Sequence, residues 1–365
     1  MLYLASTTLA AWFGPFRLLG SYLVLIGLGT FVAAALTWML LGRQAGFRWM
    51  PRDRGKRLVE GGMASRGKPT GVGLLMMLFT LPVLILVMPP SRKGWQVIGC
   101  LMLAMATGYL DDTARAPWGE LKKGLYDLLI CAVCSLALCQ AEPVAVWLPL
   151  VKGEFLLPAW AFTTMSTAVL WFAINATNCS DGVDGLAGTL SLLSLLYLGG
   201  LLYGVVGHAS IASYLLVTHN PEGALWALLV FTFAGTLAAY LWFNAEPSQM
   251  LMGDAGSRPL GLLMGVAVMA ARNPFLIVVA APIILANGGT GLAKVAVLRI
   301  VKRLGFDTDA ASASSPVRLL HRVRFPLHDH CRKNRGWSNA QVLMRFALLQ
   351  ALLIPLLLVL LIKLR

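Results

Sequence analysis

The chain has 365 residues, 58% of them hydrophobic and only 13% charged, with a mean hydropathy of +0.73. Soluble domains carry about 25% charged residues, so this composition excludes a soluble globular protein and makes lipid the solvent. The net charge of +14 would suit nucleic acid, but the basic residues stand in loops between apolar runs. No nucleic-acid motif or aromatic–basic interleaving is present, so nucleic acid is excluded as a partner.

The chain opens on an apolar stretch with no basic residue before Arg17. It lacks the positive leader of a secretory signal and reads as an uncleaved leading segment. Ten apolar runs follow, at 20–42, 71–89, 94–110, 125–141, 159–176, 187–206, 225–243, 259–271, 273–298 and 342–363. They predict an all-α polytopic membrane protein of about ten transmembrane helices, one domain over 1–365. The eighth run is short and abuts the ninth through Arg272-Asn273-Pro274. The ninth holds Asn287-Gly288-Gly289-Thr290-Gly291, which predicts a bend or break with its polar groups turned to protein or water.

Basic residues fall in alternate loops: Arg43, Arg48, Arg52, Arg54, Lys56, Arg57, Arg66 and Lys68; then Arg115, Lys122 and Lys123; then Arg258; then the stretch Arg299 to Arg335. The other loops hold little beyond Arg17, Arg92, Lys93, Lys152 and Arg272. The richer set is therefore expected in the cytosol, with both termini outside. The cytosolic loops are 43–70, 111–124, 175–188, 244–258 and 299–341, with a small polar stretch at 307–316. Most of the clustered acids lie in them, and no internal repeat is evident. A secondary transporter would instead place its acids near mid-membrane.

Of the six cysteines, Cys100, Cys131, Cys134 and Cys139 lie in apolar runs. Cys131-x-x-Cys134 lacks a second pair, so small buried side chains explain it better than zinc or redox chemistry.

Five segments can carry chemistry. Asp111 and Asp112 end an apolar helix together; adjacent carboxylates repel unless a cation offsets them, which points to a metal or acid–base site. Asn175, Asn178, Asp181 and Asp184 crowd one helix end, and Asp181 and Asp184 share a face if helical. Asn244 opens a stretch that ends on Met252-Gly253-Asp254-Ala255-Gly256-Ser257. Asp254 between glycines is open to close approach, and hard oxygen ligands of this kind suit Mg²⁺ shared with substrate phosphates. His328-Asp329-His330 stands among arginines able to bind phosphate by charge-assisted hydrogen bonds. Arg66-Gly67-Lys68-Pro69-Thr70 looks like a phosphate-cradling turn without being a Walker sequence.

These segments, in this order between apolar runs, resemble the polyprenyl-phosphate N-acetylhexosamine-1-phosphate transferase superfamily, over about residues 20–365. Gly336-Trp337 and the following Val342-Leu343-Met344-Arg345-Phe346 favour its muramoyl-pentapeptide branch over the N-acetylglucosamine branch. The resemblance implies ten helices, Mg²⁺, a UDP-linked N-acetylmuramoyl-pentapeptide and undecaprenyl phosphate, with lipid I and UMP as products. It also implies peptidoglycan synthesis at the bacterial cytoplasmic (inner) membrane and a possible homodimer.

By position the resemblance makes Asp254 the metal ligand, with Asp181 in the nucleotide–metal region as the second. Asp111 and Asp112 become catalytic carboxylates, as general base or as covalent phospho-aspartate, and His328 joins them. Lys68, Thr70, one of Lys122 or Lys123, Asn175, Asn178, Asp184, Asn244 and His330 become contacts to the donor or its support. The sequence departs from the family where three histidines are usual, here His328-Asp329-His330, and at Lys68-Pro69-Thr70-Gly71-Val72-Gly73. Transfer of N-acetylglucosamine-1-phosphate is the nearest alternative activity.

Overall fold

A computed structural model describes residues 1–43, 49–53, 65–151, 153–304 and 323–363. Arg48, Arg54, Lys56, Arg57, Lys152, Arg318, Arg322 and the stretch 307–316 lie outside the described residues.

The chain is an all-α membrane protein. Helix α1 (Leu2–Trp12) and a 3₁₀ turn (Gly14–Gly20) lead into α2 (Tyr22–Arg43), α3 (Gly73–Val87), α4 (Arg92–Thr113) and α5 (Glu120–Cys139). Then come α6 (Ala159–Ser180), α7 (Leu186–Leu201), the short α8 (Ala209–Tyr214), α9 (Gly223–Asn244) and α10 (Asp254–Ala270). The ninth apolar run is broken into α11 (Leu276–Ala280), α12 (Pro282–Ile284), a π-helical turn over Leu285–Gly289, and α13 (Thr290–Arg303). Helices α14 (Leu327–Arg335) and α15 (Asn339–Lys363) finish the chain.

Every predicted apolar run falls on helix. Among the described residues, five helical stretches are long and apolar enough to cross a membrane: 22–43, 186–206, 223–244, 282–303 and 339–363. The break expected at Asn287 is the π turn. There Gly288 lies so close to α6 that a Cβ would meet the Ala176 carbonyl oxygen at 2.0 Å.

Helix α10 is the axis of the bundle. Every residue after Asp254 is buried, as expected of a helix that is apolar nearly all round. It packs on α4, α6 and α7, while α2 packs on α9 and α15 on α7. The outer helices turn Phe31, Trp38, Leu352 and Val359 outward, where lipid tails are the natural neighbours. Two polar contacts join helices in the interior: the Thr80 and Thr236 hydroxyls meet at 2.7 Å, and Gln350 Nε2 donates to Ser194 Oγ at 3.2 Å.

Three features depart from expectation. Among the described residues, the otherwise helical chain carries an antiparallel ribbon, β1 (Val144–Trp147) paired with β2 (Glu154–Leu157). Trp147 is fully buried and its Nε1 donates to the Ala271 carbonyl at 2.9 Å, which docks the ribbon on the corner after α10. Second, the helix that carries the eighth run starts at Asp254, not 259, with Gly253 as its N-cap. Third, Arg258 is no loop charge: it is 1% exposed inside α10 and ion-paired with Asp127 of α5. The cysteines Cys100, Cys131, Cys134 and Cys139 are buried free thiols.

Candidate active site

The site forms where α4, α5, α6, α7, α9 and α10 end on one side of the bundle. Its base is a backbone zipper. Leu251 N–H donates to the Pro69 carbonyl at 2.8 Å, Val72 N–H to Leu251 at 3.2 Å, and Gly73 N–H to Met252 at 3.0 Å. The early Lys68-Pro69-Thr70 turn is thereby tied to the segment that enters α10.

That entry needs glycine. Gly253 has φ +67° and ψ −172°, a region open essentially to glycine alone. A Cβ there would also meet Asp112 Oδ2 at 2.3 Å. The Asp112 carboxylate uses both oxygens to cap α10: Oδ1 accepts the Asp254 N–H and Oδ2 the Ala255 N–H, each at 3.1 Å. A helix N-terminus leaves such donors free and carries partial positive charge. Asp112, a catalytic carboxylate by the sequence resemblance, makes the contacts of a capping group here.

Asp111 faces the other way. Its Oδ1 accepts the Trp118 N–H at 2.6 Å, and its Oδ2 pairs with Lys123. Lys123 Nζ also lies 2.9 Å from Asp254 Oδ2, so one ammonium joins both carboxylates. Asp254 Oδ1 accepts from Asn178 Nδ2 at 3.0 Å, and the same amide reaches Ser257 Oγ at 3.0 Å. Of the two candidate lysines, Lys122 instead stacks its ammonium 3.8 Å over the Trp118 ring.

These contacts set the charges. Burial works against the ionised form of Asp254, but Lys123 and the Asn178 amide outweigh it and hold its carboxyl below the usual range. Burial likewise opposes the Lys123 charge, and Asp254 and Asp111 overcome it, so its pKa is raised. Asp112, beyond the apolar run of α4, is pushed up to about 7 by burial and by neighbouring Asp254, against the pull of the two N–H groups it accepts.

A second cluster sits beside the first. Asp184 Oδ2 accepts the Ser248 N–H at 3.0 Å and lies 3.4 Å from Lys68 Nζ, which also donates to Ser248 Oγ at 2.8 Å. Asn244 is the buried clamp beneath. It accepts the Gly185 N–H at 2.9 Å and donates to the Met250 carbonyl at 2.8 Å, joining the start of α7 to the end of α9.

His328 closes the site from α14. It is 3% exposed. Asn287 Oδ1 accepts its backbone N–H at 2.9 Å and lies 3.1 Å from Nδ1. A carbonyl oxygen can only accept, so the proton is on Nδ1. Gly182 leaves the room the ring needs: a Cβ there would meet Nε2 at 2.3 Å.

The remaining expectations fall nearby. Asp181 caps the end of α6, one residue from that contact. Asn175 donates to the Trp171 carbonyl at 2.8 Å on its own helix. Thr70 lies in the zipper through its N–H, 2.9 Å from the Pro51 carbonyl. His330 Nδ1 accepts the Arg324 N–H at 3.4 Å. The sequence signals do not point to Ser248 or Trp118, and they mark Asn287 only as a helix break, not as the partner of His328. Ser248 and Ser257 both lie in the 244–258 segment.

Among the described residues no three His, Cys, Asp or Glu side chains form a closed metal cage. Mg²⁺ does not need one, since it is held by one or two carboxylates plus water and phosphate oxygens. Asp254 and Asp111, two hard carboxylates brought together on Lys123, are a donor set that a hard cation fits. Two lysines, a histidine and a helix N-terminus around them can hold phosphate oxygens.

A family model, Glycosyl transferase family 4, matches residues 95–272. The phospho-N-acetylmuramoyl-pentapeptide-transferases of two strains of Treponema pallidum are each 43% identical over 360 residues, covering 98% of this chain and 95% of the relative. That of Aliarcobacter butzleri is 25% identical over 342 residues, covering 88% and 89%. The chain belongs to the phospho-N-acetylmuramoyl-pentapeptide-transferase family.

Proposed function

We propose that the chain transfers phospho-N-acetylmuramoyl-pentapeptide from UDP to undecaprenyl phosphate, giving lipid I and UMP. It would do so at the cytosolic face of a bacterial inner membrane, crossed by ten helices with both termini outside. Full-length likeness to the Treponema enzymes supports the reaction. The observation that carries it is the joining of Asp111 and Asp254 by Lys123 at the mouth of α10, with Asn178 donating to Asp254.

The acceptor phosphate attacks the β-phosphate of the donor, and UMP departs. Such transfers depend on positioning and charge neutralisation more than on covalent help. Asp254 would be the ligand of Mg²⁺, with Asp181 the second. When bound, the cation supplies neutralising charge to the diphosphate and the departing UMP. Lys68, on its Asp184–Ser248 mount, and His328, with its Nε2 bare of hydrogen when neutral, bind and orient the donor. Lys123 holds Asp111 and Asp254 at one spacing.

Both Asp112 oxygens are occupied by backbone donors, which favours direct attack over a phospho-aspartate at that residue. A phosphate monoester, with a second pKa of about 6, is largely dianionic at neutral pH and needs little activation.

The test is UMP release by purified protein supplied with undecaprenyl phosphate and either UDP-N-acetylmuramoyl-pentapeptide or UDP-N-acetylglucosamine. Release from the muramoyl donor alone is expected. Release from UDP-N-acetylglucosamine alone would assign the chain to the sister activity.

A further inference from the structure

Lys123 and Asp127 stand four residues apart on α5, and Asp254 and Arg258 four apart on α10. Each pair therefore shares one helix face. The two faces meet as a ladder. In the outer rung Lys123 Nζ lies 2.9 Å from Asp254 Oδ2. One turn deeper, Arg258 Nε donates to Asp127 Oδ1 at 3.0 Å and Nη2 reaches the same oxygen. Side-chain exposure falls from 27% and 20% in the outer rung to 2% and 3% in the inner one.

The signs alternate: cation then anion along α5, anion then cation along α10. A slip of one turn would set Lys123 against Arg258, or Asp127 against Asp254. Either is a like-charge contact, costly where water is excluded. The inner rung is also poor as a mere source of stability. Arg258 Nη1 is buried without a hydrogen-bond partner among the described residues, and buried ion pairs seldom outperform apolar residues of the same size. Fixing register is the use that remains.

We infer that Asp127 and Arg258 are positioning residues, a buried register lock that keeps Lys123 on Asp111 and Asp254. Their role in turnover rests on the proposed function; their role in placing Lys123 does not.

The test pairs a chemical readout with a kinetic one. Reductive methylation with formaldehyde and borohydride, read by peptide mass spectrometry, reports Lys123 pairing, with Lys122 as internal control. In the wild type Lys123 labels more slowly than Lys122. In Asp127→Leu/Arg258→Met, which removes both charges together, the two rates converge. The melting temperature holds, and kcat falls about 10²-fold, the scale of a 1 Å misplacement, while KM for the UDP donor changes little. Asp127→Glu keeps both charges but adds a methylene and lowers kcat in the same way; adding Arg258→Lys, which shortens the partner, restores it. These charge-retaining variants decide the matter alone if the apolar pair does not fold. Slow Lys123 labelling and wild-type kcat in the folded apolar pair, or in Asp127→Glu, would overturn the lock. A wild type with protected Lys123 but no UMP release would overturn the proposed function instead.

Discussion

Lys123 Nζ lies 2.9 Å from Asp254 Oδ2 and pairs from the same position with Asp111, although 131 residues separate Lys123 from Asp254 in the chain. Its neighbour Lys122 turns away onto Trp118. Lys123→Ala is therefore expected to cut kcat by about 10²–10³-fold, the loss typical of a preorganised charged donor. Lys122→Ala removes an exposed cation–π contact of about 0.5–1 kcal/mol and should leave turnover within a few-fold. Steady-state UMP release by the two variants checks this.

Gly253 and Asp112 form a single construction. Gly253→Ala forces a side chain into a glycine-only conformation, at about 1–3 kcal/mol, and drives its methyl onto the cap of α10. Lower thermal stability and loss of activity are expected together. Asp112→Asn retains an acceptor for only one of the two N–H groups, so its main effect should be on melting temperature.

Asn244 is expected to behave as a structural clamp. Asn244→Ala strands the Gly185 N–H and the Met250 carbonyl in a buried place. Each stranded group costs about 1–3 kcal/mol. A lowered melting temperature in detergent checks this, with KM for the UDP donor rising because the Asp184–Ser248 mount of Lys68 rides on the same loop.

His328 depends on Gly182 and Asn287 from opposite sides. Gly182→Ala should displace the ring and lower kcat by about 10-fold or more, in line with general losses from misplacement. Asn287→Ala, which removes the acceptor fixing the Nδ1 proton, should act in the same direction. A His328→Ala background in which neither substitution adds a further loss would confirm that both act through the ring.

The sequence made the membrane helices legible because apolar runs bounded by charge are a local signal. The break at Asn287 was legible for the same reason: no lipid-facing helix holds that polar group and two glycines at its centre. The ribbon over 144–157 was hidden because four-residue strands in an apolar chain do not stand out from helical runs. Arg258 was misread because a basic residue beside a cytosolic motif resembles topogenic charge, and its partner Asp127 is far away in the chain. The capping role of Asp112 was invisible for a like reason: the donors it accepts belong to α10, 142 and 143 residues on.

The most direct test of the central claim is transfer itself. Labelled UDP-N-acetylmuramoyl-pentapeptide is given to the purified protein with undecaprenyl phosphate, with Mg²⁺ or with EDTA, for wild type and Asp254→Ala. Label passing to the lipid in step with UMP release, lost with EDTA and lost in folded Asp254→Ala, is the predicted result. Undiminished transfer by Asp254→Ala would contradict the role given to the Asp254 carboxylate.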